Sequence, residues 1–487
     1  MGKRKRSAAQ NSATTGEEIQ SKRTKASSDA DGASPVTVQI ITGSYDRVLH
    51  GLTATIAPDD QVEFADTFLF NAHSSAIRCL AVSSPSAPEP RKTQKVMLAS
   101  GSSDERINVY HLSAHPPKRK TKDVLSSIAP RNILENPKNR ELGTLLHHSS
   151  TITALSFPTR SKLISSSEDS SIAVTRTRDW SLLSTIKVPR AKPQGRPSGD
   201  TAALGGTPAG VNDFAVHPSM KLMISVSKGE RCMRLWNLMT AKKAGVLNFG
   251  REILQEAGES KHSPGEGRKV VWGTTEEGDE FCVGFDRDLI VFGMDSTPKC
   301  RVMPEPRRKI HQFRYISTDS SDSSLLAVST EDGRILFFST STEDLSSEAP
   351  TADGAKEKLP VAKLVAQVGG KEAGVTSRIK DFAICRVTNP QRDELIILTG
   401  SSDGKVRIFK LSLKDLVEAR TTKTSKQTAK LLGTYDTQNR ITCLSGFVMI
   451  PRGEGVEESD DDFDDEDLDE DEDDNDEDED DEDEDEN

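Results

Sequence analysis

One pattern recurs along this chain and limits what it can fold into. A short apolar stretch runs into small residues, then an acidic or glycine turn, then a second β-rich stretch. LASGSSDERINVYHL (98–112), LISSSEDSSIAVTRT (163–177), LMISVSKGERCMRLWNL (222–238), LAVSTEDGRILFFST (326–340) and ILTGSSDGKVRIFKL (397–411) all show it. A weaker copy, EFCVGFDRDLIVFGM (280–294), fills the longest gap between them. Branched and aromatic residues alternating with small or polar ones around Asp/Gly/Ser turns predict β-hairpins. Another strand precedes each hairpin, as in IRCLAVS (77–83) and IKDFAIC (379–385), and a fourth follows, as in LLSTIKV (182–188) and LLGTYD (431–436). Four antiparallel strands repeating at roughly 60 residues describe the blade of a β-propeller with variable loops.

The two ends of the pattern complete each other. ITCLSGFVMI (441–450) reads as the first strand of a blade whose other three strands are missing, because the chain turns acidic just after it. VQIITGSYDR (38–47), VLHGLTATI (48–56) and DTFLFNAH (66–73) read as those three strands. The expectation is an all-β, seven-bladed propeller: six contiguous blades and one composite blade shared by both termini, which removes free sheet edges. The domain plan is a disordered basic segment over 1–35, the propeller over 36–450 and a disordered acidic tail over 451–487.

Charge divides the chain sharply. Residues 457–487 hold twenty-six Asp or Glu and no Lys or Arg, so without them the formal net charge of −13 becomes +13 for the rest. Charges packed this densely repel one another, and the tail is expected to stay unfolded. A basic body with an acidic polyelectrolyte suits work beside RNA, histones or basic ribosomal proteins. Lys3-Arg4-Lys5-Arg6 and Lys22-Arg23-Thr24-Lys25 are two basic clusters that read as a nuclear import signal. The N-terminus lacks the apolar run of a secretory signal, and no segment is apolar enough to span a membrane. Six cysteines without a CxxC pair suggest neither a zinc site nor a disulfide framework; Cys79 and Cys443 sit in apolar strands and are expected to be buried.

The repeats resemble WD40 repeats. The fullest match is Met233-Arg234-Leu235-Trp236-Asn237; elsewhere the Trp is replaced, as in Asn108-Val109-Tyr110 and Arg407-Ile408-Phe409. His73 and His147 (or the adjacent His148) stand where that family has Gly-His. The resemblance implies that a His, a strand Ser or Thr, a turn Asp and the Trp form a buried hydrogen-bond network. It assigns His73, Asp104, His147, Asp169, Trp236, Asp332 and Asp403 a structural role. No Walker loop, HExxH, GxSxG or GxGxxG accompanies them, so no enzyme, metal or cofactor is expected.

Function must then come from loops carried by the ring. Three insertions are basic: 113–141, 186–210 and 413–430. Lys118, Arg119, Lys120 and Lys122 are the densest cluster and are candidate RNA contacts, tracking phosphates with salt-sensitive affinity. A fourth insertion, 342–358, is acidic. Ser459, in Glu-Glu-Ser-Asp-Asp-Asp, is a candidate phosphosite for an acidophilic kinase.

GSYDRVLHGL (43–52), FNAHSSAIRCLAV (70–82), ELGTLLHHSSTITALSF (141–157) and RITCLSGF (440–447) point to a narrower group. In these segments and their order the chain resembles the PAK-interacting protein-like (maintenance-of-killer type) family of WD40 proteins. That resemblance implies a nucleolar scaffold in assembly of the large (60S) ribosomal subunit and in pre-rRNA processing. Its implied partners are pre-large-subunit particles; the charge distribution adds basic ribosomal-protein-like factors and leaves direct pre-rRNA contact open. The resemblance also admits a protein kinase partner, as an adaptor restraining a p21-activated kinase. The charge pattern alone admits a third role, histone chaperone.

Overall fold

The computed structural model describes residues 35–89, 92–117, 133–136, 138–190, 209–260, 263–275, 277–316, 325–346, 358–389, 392–421 and 426–452. The import clusters, the Lys118–Lys122 stretch and Ser459 lie outside the described residues.

Seven sheets follow one another along the chain, each built on four antiparallel strands. The composite blade is ordered Ile441–Val448, Val36–Ser44, Val48–Ile56 and Val62–Asn71, as the sequence leads one to expect. Blade 2 is Ile77–Val82, Lys95–Ser102, Ile107–Ser113 and Arg140–Leu145. Blade 3 is Ile152–Thr159, Lys162–Ser167, Ser171–Arg176 and Leu182–Lys187. Blade 4 is Val211–Val216, Leu222–Ser227, Cys232–Asn237 and Lys242–Asn248. Blade 5 is Lys269–Thr275, Gly278–Gly284, Leu289–Gly293 and Pro298–Val302. Blade 6 is Ile310–Tyr315, Leu325–Thr330, Arg334–Ser339 and Lys363–Gly369. Blade 7 is Ile379–Asn389, Arg392–Ser401, Lys405–Ser412 and Lys430–Asp436. The first strand of each blade touches the first strand of the next, and Ile441–Val448 touches both Ile379–Asn389 and Ile77–Val82, so the ring is closed.

Period-two alternation explains why each sheet buries both faces. In the composite blade, Val38 and Ile40 pack with Leu398, Ile408 and Leu444 against blade 7. Ile41, Leu49 and Cys443 pack with Ile77, Leu98 and Tyr110 against blade 2. The small residues ahead of each turn have a steric cause. A Cβ on Gly43 would lie 2.7 Å from the Ile77 side chain, and one on Gly101 would lie 2.6 Å from Ile152. The next blade's first strand approaches too closely for a side chain there. The turns are equally regular. Arg47, Glu105, Ser170, Gly333 and Gly404 all take the left-handed conformation at the same point of their hairpins, and Gly229 takes it one position earlier in a longer turn. The preceding Asp supplies a local cap: Asp104, Asp169 and Asp403 each accept from the backbone N–H two residues on.

The insertion 413–430 is not the basic loop that its composition suggests. Leu413–Thr421 is a helix whose Leu413, Leu416 and Ala419, spaced by three, join the core between blades 6 and 7. Lys426–Gln427 then adds a parallel fifth strand to blade 6. Two of its cations are engaged as well: Arg420 pairs with Asp344, and Lys430 bonds Asp60 at 2.9 Å. Among the described residues no helix is long and apolar enough to cross a membrane.

Ring closure predicts a measurable penalty. Leu444 is 1% exposed at the seam. Leu444→Ala is expected to lower unfolding free energy by about 2–5 kcal/mol, as for other fully buried leucines. Denaturant titration checks this, and a loss under about 1 kcal/mol would mean that the seam contributes little.

Candidate functional site

The first strand of each blade runs away from the face that carries the second-to-third-strand turns, so strand starts and these turns share one face. On it stand the polar networks. His73 Nδ1 lies 3.1 Å from Asp104 Oδ2, and its Nε2 lies 2.8 Å from Ser100 Oγ. A carboxylate only accepts, so Nδ1 carries the proton and Nε2 accepts from the serine hydroxyl. Asp104 also accepts from the Ser74 N–H at 2.9 Å.

Blade 3 repeats the arrangement with His148, not His147. His148 Nδ1 is 3.1 Å from Asp169, and Nε2 is 2.8 Å from Ser165. His147 leaves its buried Nε2 without a partner. The correction has a simple cause: Arg140–Leu145 ends two residues before the pair, and only the second His reaches over the turn. Burial alone would raise the Asp169 carboxyl. Hydrogen bonds from His148, Ser171 and the Ser149 N–H, with the charge of His148, override burial and hold it well below the carboxylate range.

Blades 4, 6 and 7 build their turn networks from other side chains. Trp236 Nε1 donates to Ser225 at 2.8 Å, with Arg234 on Glu230 beside it. Asp403 pairs with Arg407 at 2.9 Å, and Arg407 also reaches Ser401 at 3.0 Å. Asp332 accepts from Thr330 and from Arg334. In blades 6 and 7 an arginine therefore takes the place of the histidine, as a charge-assisted bond.

These are Ser–His–Asp sets in composition, but their burial rules out hydrolytic chemistry. Ser100 is 0% exposed and Ser165 1%, so no substrate carbonyl can reach either hydroxyl. The six thiols are free; burial raises those of Cys79, Cys300 and Cys385 to about 12, which leaves them as poor nucleophiles. Cys443 is buried and Cys79 is half-buried. Among the described residues no group of three or more His, Cys, Asp or Glu is placed to hold a metal ion.

What the face does offer is charge around the channel mouth. Six of the seven first strands carry a β-bulge at their second residue: Arg78, Thr153, Asn212, His311, Lys380 and Thr442 are each skipped in the pairing register. A bulge leaves that residue outside the ladder and re-aims its side chain. Thr442 and Asn212 use this freedom to donate towards the next blade, to the carbonyls of Ile77 and of Gly267, two residues before blade 5's first strand. His311 and Lys380 do not. Burial, then the positive charges of Lys380, Lys309, Arg378 and Lys269, push His311 down to about 4. Burial, then Arg378, Arg440 and Lys309, lower Lys380. The rim from blade 5 round to the composite blade is thus a field of mutually repelling cations.

Nearby acids are already engaged. Asp286 serves Arg268 and Lys309, Glu331 serves Arg378, and Asp381 lies 3.6 Å from Arg314. Among the described residues Lys269 and Lys380 make no ion pair. Arg440 sits 5.6 Å over the Tyr45 ring, which is 60% exposed. Sequence reading passed over this rim because its members are scattered along the chain. Stacking the segments IRC, ITA, VND, IHQ, IKD and ITC, each a first-strand start, would have exposed the shared second position.

Fold and networks together define a WD40-repeat β-propeller. The family model for "WD domain, G-beta repeat" matches residues 139–174, the span that holds the His148–Asp169 network. The particular resemblance is to Protein MAK11 of Saccharomyces cerevisiae, 28% identical over 84% of this chain and 82% of that protein. The chain is also similar to the p21-activated protein kinase-interacting protein 1-like proteins of Danio rerio and Gallus gallus. These are 23% and 24% identical, each over 84% of this chain and 80% of theirs.

Two tests follow from the networks and the rim. His148→Ala should cost about 1–3 kcal/mol, because it strands Asp169 and Ser165, whereas His147→Ala removes no hydrogen bond. Equal losses in denaturant titrations would contradict the assignment. His311 has its folded pKa depressed from its ordinary 6.5. The stability this group supplies is therefore complete above pH 6.5 and is lost as pH falls towards about 4. His311→Gln should flatten the stability–pH curve in that window; an unchanged slope would show that the histidine charges freely.

Proposed function

We propose that this protein is a non-enzymatic WD40 scaffold in ribosome biogenesis, assisting assembly and maturation of the large (60S) subunit and processing of its pre-rRNA in the nucleolus. The observation that carries this reading is the likeness to MAK11, which runs through 84% of this chain and 82% of that protein. The resemblance to the ribosome-assembly family rests on the same segments. Two independent features support it. The body is basic, at +13 without the tail. On the described face Lys269 and Lys380 make no ion pair among the described residues, which suits a surface facing RNA. The tail's twenty-six acids suit transient cover for basic ribosomal-protein-like factors before they dock. The clusters at Lys3–Arg6 and Lys22–Lys25 would bring the chain into the nucleus.

A second reading is favoured by the names of the vertebrate relatives, which describe proteins that interact with p21-activated protein kinase. On that reading the ring is an adaptor that restrains a kinase, and the cationic rim has no role.

One experiment separates them. A tagged protein is imaged in cells, and nuclear extract is then run on a sucrose gradient and probed against precursor rRNAs. The scaffold reading expects nucleolar signal and co-migration with large-subunit precursors, with precursor rRNA accumulating on depletion. Free migration with an unchanged rRNA ratio on depletion would contradict it and leave the adaptor.

A further inference from the structure

We propose that the cationic rim of the channel mouth is a binding site for the phosphate backbone of single-stranded RNA, running from Lys269 past His311 and Lys380 to Arg440 and Tyr45. This deepens the ribosome-assembly reading and rests on it for the identity of the RNA. It is distinct from the basic insertion at Lys118–Lys122.

Three observations carry it. First, the rim is built. The bulges place His311 and Lys380 outside the sheet ladder at equivalent points of neighbouring blades. The first strand of blade 5 has no bulge and opens on Lys269 paired with Gly284. Second, the charge is available. Lys269 and Lys380 make no ion pair among the described residues; buried Asp213 acts on Lys269 and Glu331 on Lys380 only through longer-range charge, and Asp286, Glu331 and Asp381 already face arginine or lysine partners. Cations held together without a paired carboxylate of their own repel each other, and a ligand with evenly spaced negative charges relieves that repulsion. Third, the arc ends on an exposed aromatic ring backed by a guanidinium, Tyr45 under Arg440. A ring next to a cationic track is the combination that binds single strands, stacking a base while cations hold the phosphates. An acidic peptide would use the lysines and leave Tyr45 idle, so the ring favours RNA over a polyanionic protein segment. No pattern of side chains selects particular base edges, and binding should tolerate sequence.

The test uses the full-length protein and a fluorescein-labelled single-stranded RNA of mixed sequence, with anisotropy read over a salt series. Lys269→Glu/Lys380→Glu/Arg440→Glu is expected to weaken binding at least about tenfold and to reduce the slope of log affinity against log salt by about 2. Tyr45→Ala should weaken binding about tenfold and leave the salt slope unchanged, because stacking releases no counterions. Circular dichroism melts of each variant establish that the ring still folds, and Tyr45→Phe, which keeps the ring, should bind as the parent does. Unchanged RNA affinity in the folded triple variant would overturn the proposal. So would retained RNA binding with loss of poly-glutamate binding, which would assign the face to an acidic peptide. Rim-dependent RNA binding by a protein that fails to co-migrate with pre-ribosomal particles would uphold this site and sink the assembly reading, so the two failures are distinguishable.

Discussion

The pairing of Ile441–Val448 with Val36–Ser44 is the interaction on which the rest of the molecule depends. It joins strands some four hundred residues apart in the chain, in register from Val38 opposite Val448 to Ser44 opposite Ile441. Propeller blades are quasi-repetitive and bury their faces only against neighbours. An open ring would leave Val38, Ile40 and Leu444 on one side of the seam, and Ile41 and Cys443 on the other, without their cores. Closure also assembles the functional face. Arg440 arrives with the last strand and Tyr45 with the first hairpin. They meet because the Tyr45 N–H donates to the Arg440 carbonyl at 2.8 Å, and the Arg440 N–H to Asp46 at 3.1 Å.

Polar groups on this face fall into two populations with different physics. Those of the blade networks are buried, saturated and inward. His73, Asp104 and Ser100 have little left to offer a ligand once their mutual bonds are made. Such groups fix the geometry of a turn and cannot recognise anything outside it. The rim cations are the opposite: Lys269 and Lys380 make no ion pair among the described residues, and His311 beside them is depressed first by burial and then by the positive charges around it. A scaffold needs both. The first holds the ring rigid, and the second gives that rigid ring something to hold.

Much of the architecture was legible in the sequence because hairpins write themselves in period two with an acidic or glycine turn. Even the divided blade could be read, since 441–450 lacked partners and 38–73 lacked a first strand. The errors are local and physical. His147 and His148 differ by one position, and only the end of a strand at Leu145 decides between them. The stretch 413–430 reads as basic by composition, but Leu413, Leu416 and Ala419 outweigh the lysines and turn it into a packed helix. The rim was illegible for a different reason: it is one residue from each of several blades, and only ring closure gathers them. Composition pointed instead to Lys118–Lys122, where like charges are neighbours in sequence.

The most direct test of the account is ultraviolet crosslinking of the protein to RNA in living cells, with both the crosslinked peptides and the attached RNA identified. The account predicts precursor rRNA of the large subunit attached at peptides around Tyr45, Lys380 and Arg440. Crosslinks confined to other faces of the ring, or to RNA unrelated to ribosomal precursors, would contradict it.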